Sequence, residues 1–180
     1  MSGNHNRILQ VDLSSGKHKE IRLDSDYWLD YVGGSTLAAR LLADSGGLTA
    51  DPLSPANPLL VMTGPMVGAT FPGSSRFVMC ARSPLTGIWG ESASGGFFGA
   101  ALKKAGFDGI VFLGKSDRPS YLVVENGRAQ LINGCRRPLG SGHLRMHRQI
   151  KAAPKRWAAG AGTRHWAGRR TPGKVCGRGQ

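Results

Sequence analysis

The stretch Ser74-Ser-Arg-Phe-Val-Met-Cys-Ala-Arg-Ser-Pro-Leu-Thr-Gly-Ile-Trp-Gly-Glu-Ser-Ala-Ser-Gly-Gly-Phe-Phe-Gly99 joins an apolar run, a turn with proline and a glycine-rich loop. The apolar run predicts a strand that carries Arg76, and residues 97–104 predict a helix that follows the loop. A loop that opens onto a helix exposes backbone N–H groups, which suit a phosphate or another anion. Glycine in that loop lets a bulky ligand approach the main chain. The stretch therefore predicts a platform for an anion or a cofactor.

Short apolar runs dominate the rest of the first 133 residues. They predict strands at residues 7–13, 18–23, 59–62, 76–80 and 109–114, and a hairpin of residues 121–125 and 128–132 around Asn126-Gly127. A short helix is predicted to end at Tyr31, and a second is predicted to be capped by Ser35. Lys103 and Lys104 are predicted at the exposed C-terminal end of the third helix, where cations suit the helix dipole. The fold class predicted is a strand-rich α+β domain.

Charge divides the chain near Asn133. Residues 1–133 hold 12 Lys/Arg and 11 Asp/Glu, whereas residues 134–180 hold 12 Lys/Arg and no acid, so the net charge of +13 comes almost entirely from the second part. We therefore expect a near-neutral domain, residues 1–133, and a basic tail, residues 134–180. One hypothesis for the tail is a disordered segment that binds nucleic acid or anionic surfaces. The other is that it is translated in a shifted reading frame.

Several functional classes find no support in the sequence. No apolar run reaches 18 residues, and the N-terminus has no apolar signal region, so we expect a cytoplasmic protein without a membrane span. The three cysteines (80, 135 and 176) and the five histidines follow no metal-ligand spacing. No Ser/His/Asp or Cys/His arrangement supports hydrolytic chemistry.

Several motifs occur together in a characteristic order. They include Ser83-Pro-Leu-Thr-Gly87, Ser94-Gly-Gly-Phe-Phe-Gly99 and Ala105-Gly-Phe-Asp-Gly109, with Met62-Thr-Gly-Pro-Met-Val-Gly68 before them. Over residues 3–133 the chain resembles the N-terminal domain of the aldehyde ferredoxin oxidoreductases. The resemblance implies β-sheets that form a base for a bis-pterin cofactor holding tungsten or molybdenum. It also implies oxidation of aldehydes to carboxylic acids, with electrons passing through a [4Fe–4S] cluster to ferredoxin, in a homodimer.

The resemblance assigns cofactor-binding roles to Arg76, Ala93, Ser94, Gly95 and Gly96. Arg76 matches an arginine that reaches the phosphate region of the cofactor, and its alternative role is a surface salt bridge. Gly95 and Gly96 match a loop whose backbone lies against the cofactor, although Ser-Gly-Gly is also an ordinary turn. Ala93 stands where family members carry asparagine, so either Ser92 or Ser94 replaces that side chain or the cofactor binds differently. No catalytic residue and no metal ligand is assigned.

Other side chains near the loop leave alternatives open. Glu91 either orients an amine of the cofactor or caps the following turn. Core packing is favoured over cofactor contact for Trp89, Phe97 and Phe98. Ser35 and Thr36 replace an Arg-Gly pair that is common in the family.

The tail departs from the family's continuation. A one-base offset lets residues 134–145 and 164–179 encode family-like segments, including Gly-Pro-Ala-Gly-Glu, which favours the frameshift hypothesis. The family's Cys-x-x-Cys-x-x-x-Cys cluster motif is absent from the sequence, and a [4Fe–4S] cluster normally needs four thiolates. We therefore expect a fragment that is inactive alone. The alternative function is a non-catalytic β-rich binding module with a basic tail for nucleic acid.

Overall fold

The structure, a computed structural model, describes residues 3–133 with the exception of Phe71, Pro119 and Asn126. This part of the chain contains eight strands and three helices. The strands are β1 (Arg7–Asp12), β2 (His18–Arg22), β3 (Leu59–Thr63), β4 (Phe77–Arg82), β5 (Trp89–Ser94), β6 (Gly109–Leu113), β7 (Ser120–Glu125) and β8 (Arg128–Asn133). The helices are α1 (Ser25–Tyr31), α2 (Gly34–Asp44) and α3 (Phe98–Lys104).

Six strands form a mixed sheet in the order β2-β1-β6-β3-β4-β5. Strand β6 enters the centre of the sheet, parallel to β1 and antiparallel to β3. The apolar composition of β1, β3 and β6 fits this central position, because both faces of those strands are covered. Strand β5 lies at one edge of the sheet, so its outer backbone groups face away from β4.

Two apolar cores lie on opposite faces of the sheet. On one face α1 and α2 cover a core that includes Trp28, Leu37 and Met62. On the other face a core with Leu9, Leu102 and Phe107 is covered by α3 and by apolar side chains of the antiparallel β7–β8 hairpin. The alternation of side chains along each strand feeds both cores. The predicted strand-rich α+β class is confirmed.

Strand β5 corrects the prediction of a loop between the proline turn and the helix. Its sequence, Trp-Gly-Glu-Ser-Ala-Ser, has a low content of strand-favouring residues. It becomes a strand because six of its residues pair with the apolar strand β4, after a turn in which Ser83 N–H donates to the carbonyl of Ile88 at 2.7 Å. Tertiary pairing therefore overrides local propensity here.

Three smaller predictions are also wrong. Arg76 precedes β4, which begins at Phe77, instead of lying within the strand. The residue that caps α2 is Gly33, and Ser35 lies in the first turn, where its hydroxyl donates to Glu91. Lys103 is 6 % exposed, because it forms an ion pair within the fold and does not face solvent at the end of α3.

The predictions for residues 134–180, and with them the domain boundary near Asn133, lie outside the described residues. Within residues 3–133, as far as they are described, each helix is too short or too polar to cross a bilayer.

Candidate functional site

The predicted site residues lie where four chain segments meet at one end of the sheet. Thr63 at the end of β3 pairs with Phe77 at the start of β4, and Phe77 pairs with Ser94 at the end of β5. The start of α2 lies close to the same edge, because a Cβ on Gly33 would come within 2.9 Å of the carbonyl oxygen of Thr63. Gly33 also has a φ of 140°, a backbone conformation that favours glycine.

Arg76 lies at this edge of the sheet. The side chain is exposed, and it forms no hydrogen bond or ion pair with any residue that the structure describes. One step beyond the Phe77–Ser94 pair, the ladder places Arg76 across from Gly95. A free guanidinium next to exposed main chain can form a bidentate hydrogen-bonded pair with a phosphate. The surface salt bridge considered for Arg76 is not present among the described residues.

The backbone of Gly95 and Gly96 is open to a ligand. Apart from the glycine itself and its two chain neighbours, no described residue has an atom within 4 Å of the position that a Cβ would take at Gly95 or Gly96. Gly96 has a φ of 94°, so the reversal from β5 toward α3 requires glycine. Helix α3 has only seven residues, and its N-cap, Phe97, makes no side-chain cap hydrogen bond. The loop therefore provides exposed main-chain groups to a ligand, and it does not form a buried anion-binding site.

Strand alternation separates Ala93 from its two serine neighbours. Ala93 pairs with Val78, which belongs to the core covered by α1 and α2. Ser94 pairs with Phe77 and Ser92 with Met79, so both serine side chains lie on the opposite face of the sheet. Strand alternation therefore places both serine hydroxyls on the face away from the side chain of residue 93. The face that Ala93 shares with Arg76 and Gly95 thus excludes the Ser94 side chain.

Glu91 lies on the face of Ala93 and is tied to α2. Its carboxylate accepts hydrogen bonds from the hydroxyl of Ser35 at 2.7 Å and from the indole N–H of Trp89 at 3.3 Å. Ser35 and Glu91 are 56 positions apart, so no local pattern predicts this contact. Glu91 also contributes to the raised pKa of Cys80, which burial and the nearby carboxylate bring to about 12. A capping role for Glu91 in the following turn is absent among the described hydrogen bonds.

A buried ion pair ties α3 to the turn before β6. The ammonium group of Lys103 on α3 pairs with the Asp108 carboxylate and donates to the carbonyl of Gly3 at 2.8 Å. The main-chain carbonyl of Asp108 accepts a hydrogen bond from the Thr63 hydroxyl at 2.6 Å. The pair therefore connects α3, the helix that follows the loop, with the end of β3.

Large apolar side chains surround the opposite side of the loop. The rings of Phe77 and Phe98 lie 4.8 Å apart, yet Phe98 is 47 % exposed and Phe97 is 52 % exposed. Met66 and Met79 are also exposed. Core packing was predicted for Phe97 and Phe98, but about half of the surface of each residue is exposed, so packing in the core covers them only in part. Trp89, in contrast, packs against the core on the α1 and α2 face.

An apolar cleft lies elsewhere in the fold. It has a volume of about 310 Å³ and runs between the sheet and the β7–β8 hairpin, where it is lined by residues that include Leu59, Phe112, Leu122 and Leu131. None of the five predicted site residues lines it. Among the described residues, no three His, Cys, Asp or Glu side chains form a group that could hold a metal ion.

Comparisons with known proteins agree with the resemblance in the sequence. The family described as "Aldehyde ferredoxin oxidoreductase, N-terminal domain" matches residues 8–177. A tungsten-containing aldehyde ferredoxin oxidoreductase of Pyrococcus furiosus is 38 % identical over 131 residues, which are 73 % of this chain and 22 % of that protein. The WOR-like subunit of an aliphatic sulfonate oxidoreductase from the same organism is 31 % identical over 147 residues, 80 % of this chain and 23 % of that one.

A solved structure also matches the fold. The active-site complex BamBC of benzoyl coenzyme A reductase, bound to 1,5-dienoyl-CoA, superimposes with a TM-score of 0.78 and 30 % sequence identity. The match covers 84 % of this chain and 23 % of that chain. The chain thus spans less than a quarter of the length of each of these three relatives.

Proposed function

The chain belongs to the aldehyde ferredoxin oxidoreductase family, and we propose that its sheet edge seats the phosphate-bearing pterin of a tungsten cofactor. The observation that carries the proposal is the exposed guanidinium of Arg76, which has no partner among the described residues and lies across from the open backbone of Gly95 and Gly96. The donor set fits an anionic group that needs one cation and accessible main-chain N–H groups. When bound, the cofactor supplies the redox chemistry, and the protein supplies its seat and orientation.

The roles of the five site residues follow from their positions. Arg76 holds the phosphate through paired N–H donors, and Gly95 and Gly96 let the main chain approach it. The methyl group of Ala93 lies beside Val78 and provides an apolar surface on which the pterin ring can pack. Ser94 acts through its backbone, because its side chain lies on the other face of the sheet.

We propose that the reaction served is the oxidation of aldehydes to carboxylic acids. The supporting fact is that relatives between 35 % and 38 % identical to this chain are named as tungsten-containing aldehyde ferredoxin oxidoreductases. Tungsten is named in those relatives, and we extend it to this chain as part of the proposal. The charges of residues 1–133 nearly balance, so the composition of this part of the chain does not favour a nucleic-acid function.

We propose that electrons pass through a [4Fe–4S] cluster to ferredoxin. We also propose that the protein acts as a homodimer in the cytoplasm. Among the described residues Cys80 is the only cysteine, and it is buried. The thiolates of such a cluster must therefore come from outside the described residues. We accordingly expect no aldehyde-dependent reduction of a viologen dye by the 180-residue chain alone.

Binding of small pterins to the chain tests the seat. The probes are 6-hydroxymethylpterin and its phosphate ester, followed by their own fluorescence. We expect the phosphate to raise affinity about tenfold, a gain typical of a charge-assisted pair, and Arg76→Gln to abolish that gain. Arg118→Gln removes the same charge from an exposed arginine elsewhere and should leave the gain intact. Equal binding of both probes to the unaltered chain would contradict the proposed role of Arg76.

A further inference from the structure

We propose that two copies of this chain associate through an apolar surface at the other end of β4 and β5 from the cofactor seat. This surface, here called the turn surface, consists of the loop of residues 46–58, the turn of residues 83–88 and the apolar cleft described above. The inference rests on the homodimer proposed above and names the place where the two copies meet. None of the five predicted site residues belongs to the turn surface.

Large apolar side chains of the turn surface are open to solvent. Leu85 in the turn is 92 % exposed, and Leu53 in the loop is 82 % exposed. Leu48 and Ile88 are exposed as well, one in each segment. Single exposed apolar side chains are ordinary, but several on neighbouring segments are typical of a surface that another protein covers.

A hydrogen-bond network holds the loop and the turn together. The guanidinium of Arg82 donates to the carbonyl of Ala50 in the loop at 2.6 Å and to that of Gly87 in the turn at 2.7 Å. The side-chain amide of Asn57 donates to the carbonyls of Pro52 and Arg82 at 2.8 and 2.9 Å. The backbone that carries the exposed side chains is therefore fixed before association, which lowers the entropy cost of binding.

The cleft favours an apolar side chain as its occupant. Its polar lining groups already have partners within the chain. The amide N–H of Gly114 donates to the carbonyl of Pro55 at 3.0 Å, and the hydroxyl of Ser120 donates to that of Arg118 at 2.9 Å. The amide of Asn57, also in the lining, has the partners given above. An occupant therefore gains apolar contact, whereas a small ligand normally needs polar groups that orient it.

Exposed side chains and a cleft on one surface make that surface complementary to itself. Asn57 lines the cleft and is bonded to Arg82, and Leu85 follows three residues later, a span of at most about 11 Å. A two-fold axis beside them would bring Leu85 of one copy to the cleft of its partner, and the reverse. Each such contact then occurs twice in the dimer.

Charge and size also fit a second copy as the occupant. Asp51 is the only charged residue in residues 46–58 and 83–88, so a two-fold arrangement brings few like charges together. Charged residues are likewise depleted at the centre of protein interfaces. The two segments and the cleft lining comprise roughly 25 residues, and a standard interface uses about 20–30 residues from each partner.

Sedimentation velocity of the 180-residue chain tests the interface. One chain has a mass of 19.1 kDa. We expect a dimer at about 100 µM, where an association of micromolar affinity is nearly complete. Leu85→Glu should raise the dissociation constant at least about tenfold, because it places a charge in an apolar contact. Leu29→Glu is the control, since Leu29 is exposed on α1, on the other face of the sheet from the cleft, and it should leave the constant unchanged.

A cysteine pair tests the two-fold arrangement. Cys135→Ser and Cys176→Ser first remove two thiols, and Cys80 is buried. One preparation then carries Leu85→Cys and the other carries Leu59→Cys in the lining of the cleft. Oxidation of the mixture should give a disulfide-linked pair of one chain of each kind, in a yield well above that of either preparation alone.

The outcomes separate this inference from the other proposals. A chain that stays monomeric at about 100 µM overturns the inference and the homodimer together. A dimer whose dissociation constant is the same in Leu85→Glu overturns the turn surface alone. Oligomers larger than a dimer contradict the two-fold arrangement. The seat is tested separately by pterin binding, so its failure would be distinguished from each of these results.

Discussion

The buried ion pair of Lys103 and Asp108 should carry a large share of the domain's stability, and Lys103→Met tests this. Lys103 is 6 % exposed and Asp108 is 1 % exposed. The ammonium group satisfies all three of its donors, with the Asp108 carboxylate, the Gly3 carbonyl at 2.8 Å and the Asn4 side-chain oxygen at 3.2 Å. Methionine keeps most of the apolar stem of lysine, so the substitution removes charge and hydrogen bonds with little loss of volume.

The expected cost follows from what remains around Asp108. Without the ammonium group, the buried carboxylate keeps one hydrogen bond, from the Arg7 amide at 3.3 Å. Removing one partner of a buried ion pair costs about 3–5 kcal/mol, because the other charge stays buried without compensation. Domains are stable by only about 5–15 kcal/mol, so the variant should be marginal. The free energy of unfolding should fall by about 3–5 kcal/mol.

Urea unfolding of the 180-residue chain, followed by far-ultraviolet circular dichroism, measures this change. Lys104→Met is the control, since Lys104 is the exposed neighbour on the same helix, and it should change the free energy of unfolding by less than about 0.5 kcal/mol. The double variant Lys103→Met with Asp108→Asn removes the uncompensated charge and should recover part of the loss. If Lys103→Met costs under about 1 kcal/mol, the pair does not stabilise the fold as argued.

Three further outcomes are expected. Burial raises the pKa of Cys80 from 9.0 to about 12, so the unfolded chain loses the thiol proton at a lower pH than the folded chain. The free energy of unfolding should therefore fall between pH 9.0 and about pH 12, and Cys80→Ala should weaken this fall. Parallel curves of unfolding free energy against pH for the two proteins would refute this. The hydrogen bond from Arg7 lowers the pKa of Glu20, so the stabilisation by ionised Glu20 should be present above about pH 4.5 and lost on acidification. The free energy of unfolding of Glu20→Gln should depend less on pH in the acid range. An unchanged dependence counts against this role of Glu20. Gly33→Ala should lower the free energy of unfolding in urea by about 1–3 kcal/mol, because Gly33 has a φ of 140° and its Cβ would meet the carbonyl oxygen of Thr63. The control Gly64→Ala should not lower it, because no atom lies near the new Cβ among the described residues. Equal losses in the two variants would argue against this packing.

The central strands of the fold could be predicted from the sequence, and the edge strand could not. Strands β3 and β6 are continuous apolar runs, and such runs indicate buried strands without further information. The β7–β8 hairpin followed from Asn126-Gly127 between two apolar runs. Strand β5 has no such signal, since its residues are mostly small or polar, and it exists through pairing with β4. Propensity describes the local chain, and an edge strand is defined by its neighbour.

The candidate site residues can be named from the sequence, but the direction of their side chains cannot be predicted from it. Arg76 and Gly95 could be selected from motifs, whereas the side on which Ala93 and Ser94 lie depends on the register of β5. The contact between Ser35 and Glu91 joins two elements far apart in the sequence, so only the fold reveals it. The prediction that Lys103 is exposed is wrong for a related reason. The helix-dipole argument treats the end of a helix as solvated, whereas Lys103 pairs with the buried Asp108.

The central claim, that the edge formed by Arg76 and residues 93–96 seats a phosphorylated pterin, is tested most directly by nuclear magnetic resonance of the isotope-labelled chain. The phosphate ester of 6-hydroxymethylpterin is titrated while the backbone amide signals are followed. The account predicts that the largest shifts occur at Arg76, Ala93, Gly95 and Gly96, and that Arg76→Gln reduces them. Shifts concentrated instead at the apolar cleft around Leu59 and Leu122, or none at all, would contradict it.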